Sequence, residues 1–156
     1  MKWDFFQSLM GDEVFCLKGP DAIDEDERPR RMDCVYFLVN RGTIVYVGVT
    51  CSIGTRPFQH RDKKHQEIHF IMLGKAAANV ESALISIMRP KYNIAGSEKL
   101  GACGALVMAQ EFGVECLNAL TGKPKQTVRL LSVFEHNPEA ENLILEASQI
   151  WDAKAR

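Results

Sequence analysis

The sequence predicts an α+β fold: a β-hairpin and a third strand interleaved with helices, then an all-helical C-terminal module. Three observations predict it. Residues 35–39 (Val-Tyr-Phe-Leu-Val) and 44–49 (Ile-Val-Tyr-Val-Gly-Val) are β-branched and aromatic runs joined by Asn40-Arg41-Gly42-Thr43, a hairpin signal. Residues 76–88 carry apolar side chains at helical spacing and stop before Pro90. After Gly101 the strand signals vanish and helical periodicity takes over.

The elements follow in order. Phe5, Phe6, Leu9 and Met10 suffice for one short packed helix. Residues 21–31 are densely charged and contain Pro29, so residues 1–32 read as an acidic segment ending in a loop or linker. The hairpin comes next, with Asn40 and Gly42 suited to positive φ. A helix is expected over 55–64, with Ser52 as its N-cap and Pro57 confined to its first turn. Residues 68–72 (Ile-His-Phe-Ile-Met) read as the third strand, and Leu73-Gly74-Lys75 turns the chain. In the helix over 76–88, Val80, Leu84, Ile85 and Met88 fill one arc, Asn79, Ser82 and Ser86 the other, and Glu81 falls inside the apolar arc. The tail reads as helices over 102–112, 115–120, 126–136 and 139–154, broken at Gly113, Gly122-Lys-Pro124 and Asn137-Pro138. The domains are thus 1–32, 33–96 and 97–156.

Bulk properties narrow the function. The chain of 156 residues holds one domain with an appendage or two small ones, and 46% apolar residues are enough for a core. No apolar run reaches the ~18–20 residues that span a membrane, and the N-terminus lacks a secretory apolar core. Five cysteines with no CxxC pair point away from a disulfide framework and from zinc, and toward a reducing cytoplasm. The net charge of −1 hides an uneven distribution. Residues 1–33 hold five Lys and Arg against nine Asp and Glu; residues 34–96 hold eight against three, a balance of +5; residues 97–156 hold six against eight. The middle segment is the part suited to a polyanion.

That segment also holds the candidate chemistry. Charged residues rarely sit in an apolar stripe unless paired or bound to a metal, so Glu81 is a candidate ligand for a hard divalent cation, or else pairs with Arg56 or a lysine. Arg56, His60 and Lys64, spaced i, i+4, i+8, would line one helix face as a phosphate track, with Lys63 beside them; a solvated cationic face would have the same spacing. Tyr36 and Tyr46 stand on the two strands of one hairpin, where a phenol near a metal can help activate water, although tyrosine is also an ordinary strand former.

Together these residues resemble the GIY-YIG endonuclease superfamily. Cys34-Val35-Tyr36, then Tyr46-Val47-Gly48, Arg56, His60, Lys64, Glu81 and Asn93 within Arg-Pro-Lys-Tyr-Asn follow that family's order over roughly residues 33–96. Cys34 stands where the family has its first glycine, and Val35 and Val47 replace isoleucines. The resemblance implies a small three-stranded antiparallel sheet flanked by helices, and DNA cleavage with one divalent ion, Mg²⁺ or Mn²⁺, held by Glu81. It implies that Tyr46 or Tyr36 helps activate water, Arg56 steadies the scissile phosphate, His60 and Lys64 contact phosphate or handle protons, Asn93 braces the site, and Gly48 lets the backbone pass close by. A homodimer would serve double-strand cutting.

In the tail, Lys125, Gln126, Thr127 and Arg129 after Leu120-Thr121-Gly122 resemble the start of a helix-turn-helix reading helix, where such donors meet DNA. Plain helical packing is the alternative. Two other functions fit the same residues: a non-catalytic nucleic-acid-binding protein, or a helix-turn-helix regulator that uses the sheet as a platform. The five carboxylates in residues 21–27 read as a solvated linker, with folding over the basic site in competition with DNA as the alternative.

Overall fold

The computed structural model describes residues 1–29, 31–93, 99–136 and 143–153. The chain forms two compact units, Met1–Ser97 and Glu98–Arg156. In the first, β-branched and aromatic runs build one antiparallel sheet from β1 (Val14–Lys18), β2 (Cys34–Asn40), β3 (Thr43–Thr50) and β4 (Glu67–Met72), ordered β1-β4-β2-β3. Two helices accompany it, α1 (Trp3–Met10) and α2 (Ala77–Met88).

Three strands were expected and there are four. Residues 1–32, read from the sequence as a separate acidic segment, give the sheet its edge strand β1, paired with β4, and its flanking helix α1. β1 is five residues long, lies between acidic stretches, and its register breaks between Cys16 and Lys18. So short and irregular a strand leaves almost no alternation to read.

At the hairpin, Arg41 (φ 49°) and Gly42 (φ 71°) take the positive φ, rather than Asn40. This is the tight turn whose twist matches the strands. The Arg41 N–H donates to Gln66 Oε1 at 2.9 Å.

Register sorts the side chains onto two faces. Tyr36 lies opposite Gly48 on β3 and Phe70 on β4; Phe37 lies opposite Val47 and His69. Opposed residues share a face, so Cys34, Tyr36, Leu38, Ile68 and Phe70 form one buried surface, joined by Leu17 and Ile53. The other face carries Phe37 and His69, covered by Trp3 and Phe6 of α1; the Phe6 and Phe37 ring centroids are 5.0 Å apart. α2 buries Val80, Ala83, Leu84 and Met88 and packs against β2 and β3. It ends where Arg89 turns left-handed (φ 47°) just before Pro90.

The helix expected over 55–64 does not form. A single 3₁₀ turn, Arg56–Gln59, is followed by irregular turns. Pro57 brings no N–H to a helical ladder, and His60 leaves helical geometry (φ −81°, ψ 56°) as its side chain turns inward. Ser52 does not cap with its side chain; its carbonyl accepts the N–H groups of Thr55 and Arg56 at 3.1 and 3.0 Å.

The second unit holds α3 (Ala102–Phe112), α4 (Val114–Thr121), α5 (Pro124–His136) and α6 (Leu143–Asp152). Trp151 is buried and its Nε1–H donates to the Leu100 carbonyl at 2.8 Å. The stretch 94–98, and residues 139–142 and 154 of the expected last helix, lie outside the described residues.

Candidate active site

The site is built on the face that carries Tyr36. Tyr36 is 1% exposed, and its hydroxyl lies 2.6 Å from His60 Nε2, with His60 itself 7% exposed. The Tyr46 ring, half-buried, lies 4.7 Å from the His60 ring and 6.0 Å from the Tyr36 ring. Gly48 makes this possible. A Cβ there would lie 2.5 Å from Tyr36 Oη and 2.8 Å from Cε1, so only glycine lets the phenol lie across β3.

The charges of Arg56 and Glu81 both act on the Tyr36 hydroxyl, with opposite sign. Burial pushes the Tyr36 phenol far above its ordinary value, and the neighbouring Tyr46 adds to the rise; Arg56 opposes it and Glu81 reinforces it. Burial holds His60 below the usual histidine value, helped by the cations Lys63 and Arg56. Burial thus favours neutral His60, whose Nε2 accepts from the phenol in one tautomer and donates to it in the other. Glu81 is half-buried on α2, and burial raises its carboxyl.

Arg56, His60 and Lys64 do not share a helix face, because there is no helix. The 3₁₀ turn leaves Arg56 exposed, with Nη1 donating to Gln59 Oε1 at 3.1 Å, and turns His60 inward. Lys64 is exposed, and its backbone N–H meets the Tyr92 hydroxyl at 3.4 Å. It is Lys63 that lies over Tyr46, with Nζ 5.1 Å from the ring centre and 3.0 Å from Asp62 Oδ2. Asn93 clasps the outer edge of β3: its Oδ1 accepts from the Val47 N–H at 2.9 Å and its Nδ2 donates to the Val47 carbonyl at 2.8 Å. Tyr92 adds a backbone bond to Val45 at 3.0 Å. Tyr92 was legible only as part of the Pro-Lys-Tyr-Asn string, with no role attached. Cys34 is buried, donates to the Met32 carbonyl at 3.2 Å, and has its thiol pushed up to about 11 by burial.

The donor set bears on a metal. Among the described residues no three His, Cys, Asp or Glu side chains converge on one point, and Glu81 has no ion-pair partner. A single unpaired carboxylate fits a hard cation that keeps most of its waters, such as Mg²⁺, and does not fit zinc, which takes three or four protein ligands.

The acidic turn Glu25–Glu27 lies near this loop. Glu25 and Arg28 line a cavity of about 630 Å³ with Gly54, Thr55, Phe58 and Arg61. Arg28 sits 5.6 Å from the Phe58 ring centre.

In the helical unit, two of the four expected DNA readers turn inward. Gln126 is 6% exposed and its Nε2 donates to the Ala153 carbonyl at 3.0 Å; Thr127 is 0% exposed and donates to the Lys123 carbonyl at 2.9 Å. Their polar groups are committed within the unit, while Lys125 and Arg129 are exposed.

No helix among the described residues is long and apolar enough to cross a membrane. No protein-family model, no curated protein and no solved structure matches this chain.

Proposed function

We propose that the first unit is a metal-dependent DNA endonuclease of the GIY-YIG type, hydrolysing a phosphodiester by attack of water, and that the helical unit helps hold it on DNA. The observation that carries this reading is the buried Tyr36–His60 bond of 2.6 Å, with the Tyr46 ring against His60 and the opposed charges of Arg56 and Glu81 acting on the Tyr36 hydroxyl. These groups come from separate stretches of a segment whose charge balance is +5.

Tyr46 is the more exposed of the two phenols, so it is the one that meets the attacking water. Its ring lies 6.0 Å from that of Tyr36 and 4.7 Å from that of His60, and the Tyr36 hydroxyl lies 2.6 Å from His60 Nε2. Burial keeps Tyr36 protonated and His60 neutral. The attacking water gives its proton toward Tyr46, and His60 Nε2, in the tautomer that accepts there, receives the proton that the phenols release. As the water oxygen bonds to phosphorus, the bond from phosphorus to the 3′ oxygen breaks. The 3′ oxygen leaves with a proton from solvent, giving a 5′-phosphate and a 3′-hydroxyl. The Arg56 guanidinium holds the charge that gathers on the phosphate, and Lys63 and Lys64 contact neighbouring phosphates. Glu81 would hold one Mg²⁺ or Mn²⁺, which supplies charge withdrawal from a phosphate oxygen and a more acidic water.

Plasmid nicking tests the reading. The chain is expected to nick supercoiled DNA in Mg²⁺ and to stop in EDTA. Glu81→Ala is expected to lose at least ~100-fold in rate while keeping its fold and DNA binding. Unchanged cutting by Glu81→Ala removes Glu81 from the mechanism. DNA binding without nicking in Mg²⁺ or Mn²⁺ turns the reading toward a non-catalytic binding protein. The burial of Gln126 and Thr127 counts against a helix-turn-helix regulator and leaves the exposed Arg129 for phosphate contact.

A further inference from the structure

The 3₁₀ turn that begins with Arg56 also walls an open trough on the first unit. One part, of about 630 Å³, is lined by Arg28, Phe58, Gln59 and Arg61. An adjoining hollow of about 430 Å³ shares Arg28, Gly54 and Thr55 with it. Phe58 is 37% exposed, and Arg28 lies against its ring, 5.6 Å from the centroid. Gln59 Oε1 accepts from Arg56 Nη1 at 3.1 Å, so the trough adjoins the guanidinium assigned above to the scissile phosphate.

Neither guanidinium of the trough has a close carboxylate. Arg28 meets Glu25, the one acid among the lining residues, at 3.7 Å, longer than the ~2.7–2.9 Å of a charge-assisted bond. The Glu25 side chain is 87% exposed, and so loose a surface pair yields readily to a better anion. Arg61 is exposed and has no ion-pair partner among the described residues. Cations beside an uncovered aromatic ring are the two parts of a platform for single strands: the cations follow the phosphates, and the ring takes a base by its face. A paired base cannot use such a ring. Within a duplex its faces are stacked on its neighbours, and only its edges are open in the grooves. A ring in the wall of a trough is therefore met by a base that has left the stack.

We propose that this trough takes an unpaired nucleotide of a DNA strand beside the scissile phosphate, with its base against Phe58 and its phosphates against Arg28 and Arg61. The substrate is then DNA with a single-stranded stretch at the cut, a tail or a branch, rather than plain duplex. The trough rests on the proposed function for DNA as its ligand, and it binds whether or not the strand is cut.

Fluorescence anisotropy of the full chain in EDTA, which withholds the metal, tests it. The probes are a labelled duplex, the same duplex with a short unpaired thymine tail, and the same duplex with a tail of abasic sites that keeps the phosphates. The thymine tail is expected to tighten binding about tenfold over plain duplex, and the abasic tail to bind at least about fivefold more weakly than the thymine tail. Phe58→Ala removes the ring. Gly54→Leu fills the trough, and its Cβ would meet nothing within 4 Å. Each is expected to bring the thymine tail down to the abasic level and to leave plain duplex binding within about twofold. A cooperative melt of each variant confirms the fold. Equal binding of tailed and plain duplex by wild type, equal binding of the two tails, or an undiminished tail preference in either variant would overturn the proposal. Nicking in Mg²⁺ without a tail preference would keep the nuclease and remove the trough. A tail preference without nicking would do the reverse, and the absence of any DNA binding would overturn both.

Discussion

Each face of the sheet covers one buried histidine, and their surroundings differ. His60 reaches the Tyr36 hydroxyl at 2.6 Å and has Tyr46 against its ring. His69 is stacked on Trp3 and leaves Nε2 unmatched. Burial lowers the proton affinity of both, so burial alone does not tell their roles apart. Hydrogen bonding does. His60 is bonded to the Tyr36 hydroxyl beneath the Tyr46 ring. His69 has no such hydroxyl, and acidic residues line the cavity beside it. A lone histidine among apolar neighbours is thus explained by what meets its two nitrogens, not by its depth.

The largest expected effect disturbs only the Tyr36 face. Gly48→Ala drives a methyl group into the Tyr36 ring and is expected to cost about 2–4 kcal/mol. For a unit of this size that lowers the melting temperature by about 10 °C or more, and nicking falls with it. A melt within a degree of wild type would mean that Tyr36 is not wedged over β3 as described.

The next prediction separates the two histidines by pH. His69 titrates at about 4 in the folded chain against an ordinary ~6.5. As pH falls, the unfolded chain therefore binds the proton first. The stability is whole above about 6.5 and is lost progressively down to about 4, by up to about 3 kcal/mol. The lowered His60 acts in the same direction. The raised Glu81 acts in the opposite one, because the folded chain then holds its proton to higher pH. His69→Phe is expected to flatten the fall between pH 6.5 and 4, measured by urea melts at each pH. An unchanged slope would contradict the assignment.

How much of this the sequence revealed follows from what each signal encodes. β2, β3, β4 and α2 were legible because β-branched runs and a helical stripe ended by Pro90 are local signals. The 55–64 helix was misjudged because a four-residue spacing of cations looks helical, while Pro57 and the inward pull of His60 act against it. Lys63 lies over Tyr46, a contact that no spacing announced, because without a helix the four-residue interval has no meaning. β1 was missed as too short and too irregular. Glu81 could be singled out because a carboxylate in an apolar stripe is itself a signal. His69 was seen only as a strand residue. A histidine flanked by Ile68, Phe70 and Ile71 could have raised the question, but its acid neighbours come from residues far apart in the chain. Gln126 and Thr127 were misjudged because a short, partly polar helix does not announce which of its polar groups are used inside.

Two smaller effects sharpen the comparison further. Asn93→Ala removes both bonds to buried Val47 and is expected to cost about 1–3 kcal/mol, with a larger loss of nicking than of His69-dependent acid stability. Equal stability of the variant would show that the clasp is not structural. Neutralising the acidic turn with Glu25→Gln, Asp26→Asn and Glu27→Gln is expected to tighten DNA binding a few-fold at low salt and not at high salt. Deleting residues 1–31 is no substitute, since it removes α1 and β1. No change in affinity would free the acidic turn from any role at the basic site.

The most direct test of the central claim is the Mg²⁺ dependence of plasmid nicking by wild type and by Glu81→Gln, which keeps the side-chain shape and removes the charge. Wild type is predicted to give a saturating curve and Glu81→Gln no detectable nicking at any Mg²⁺ concentration. Superimposable curves for the two proteins would contradict it.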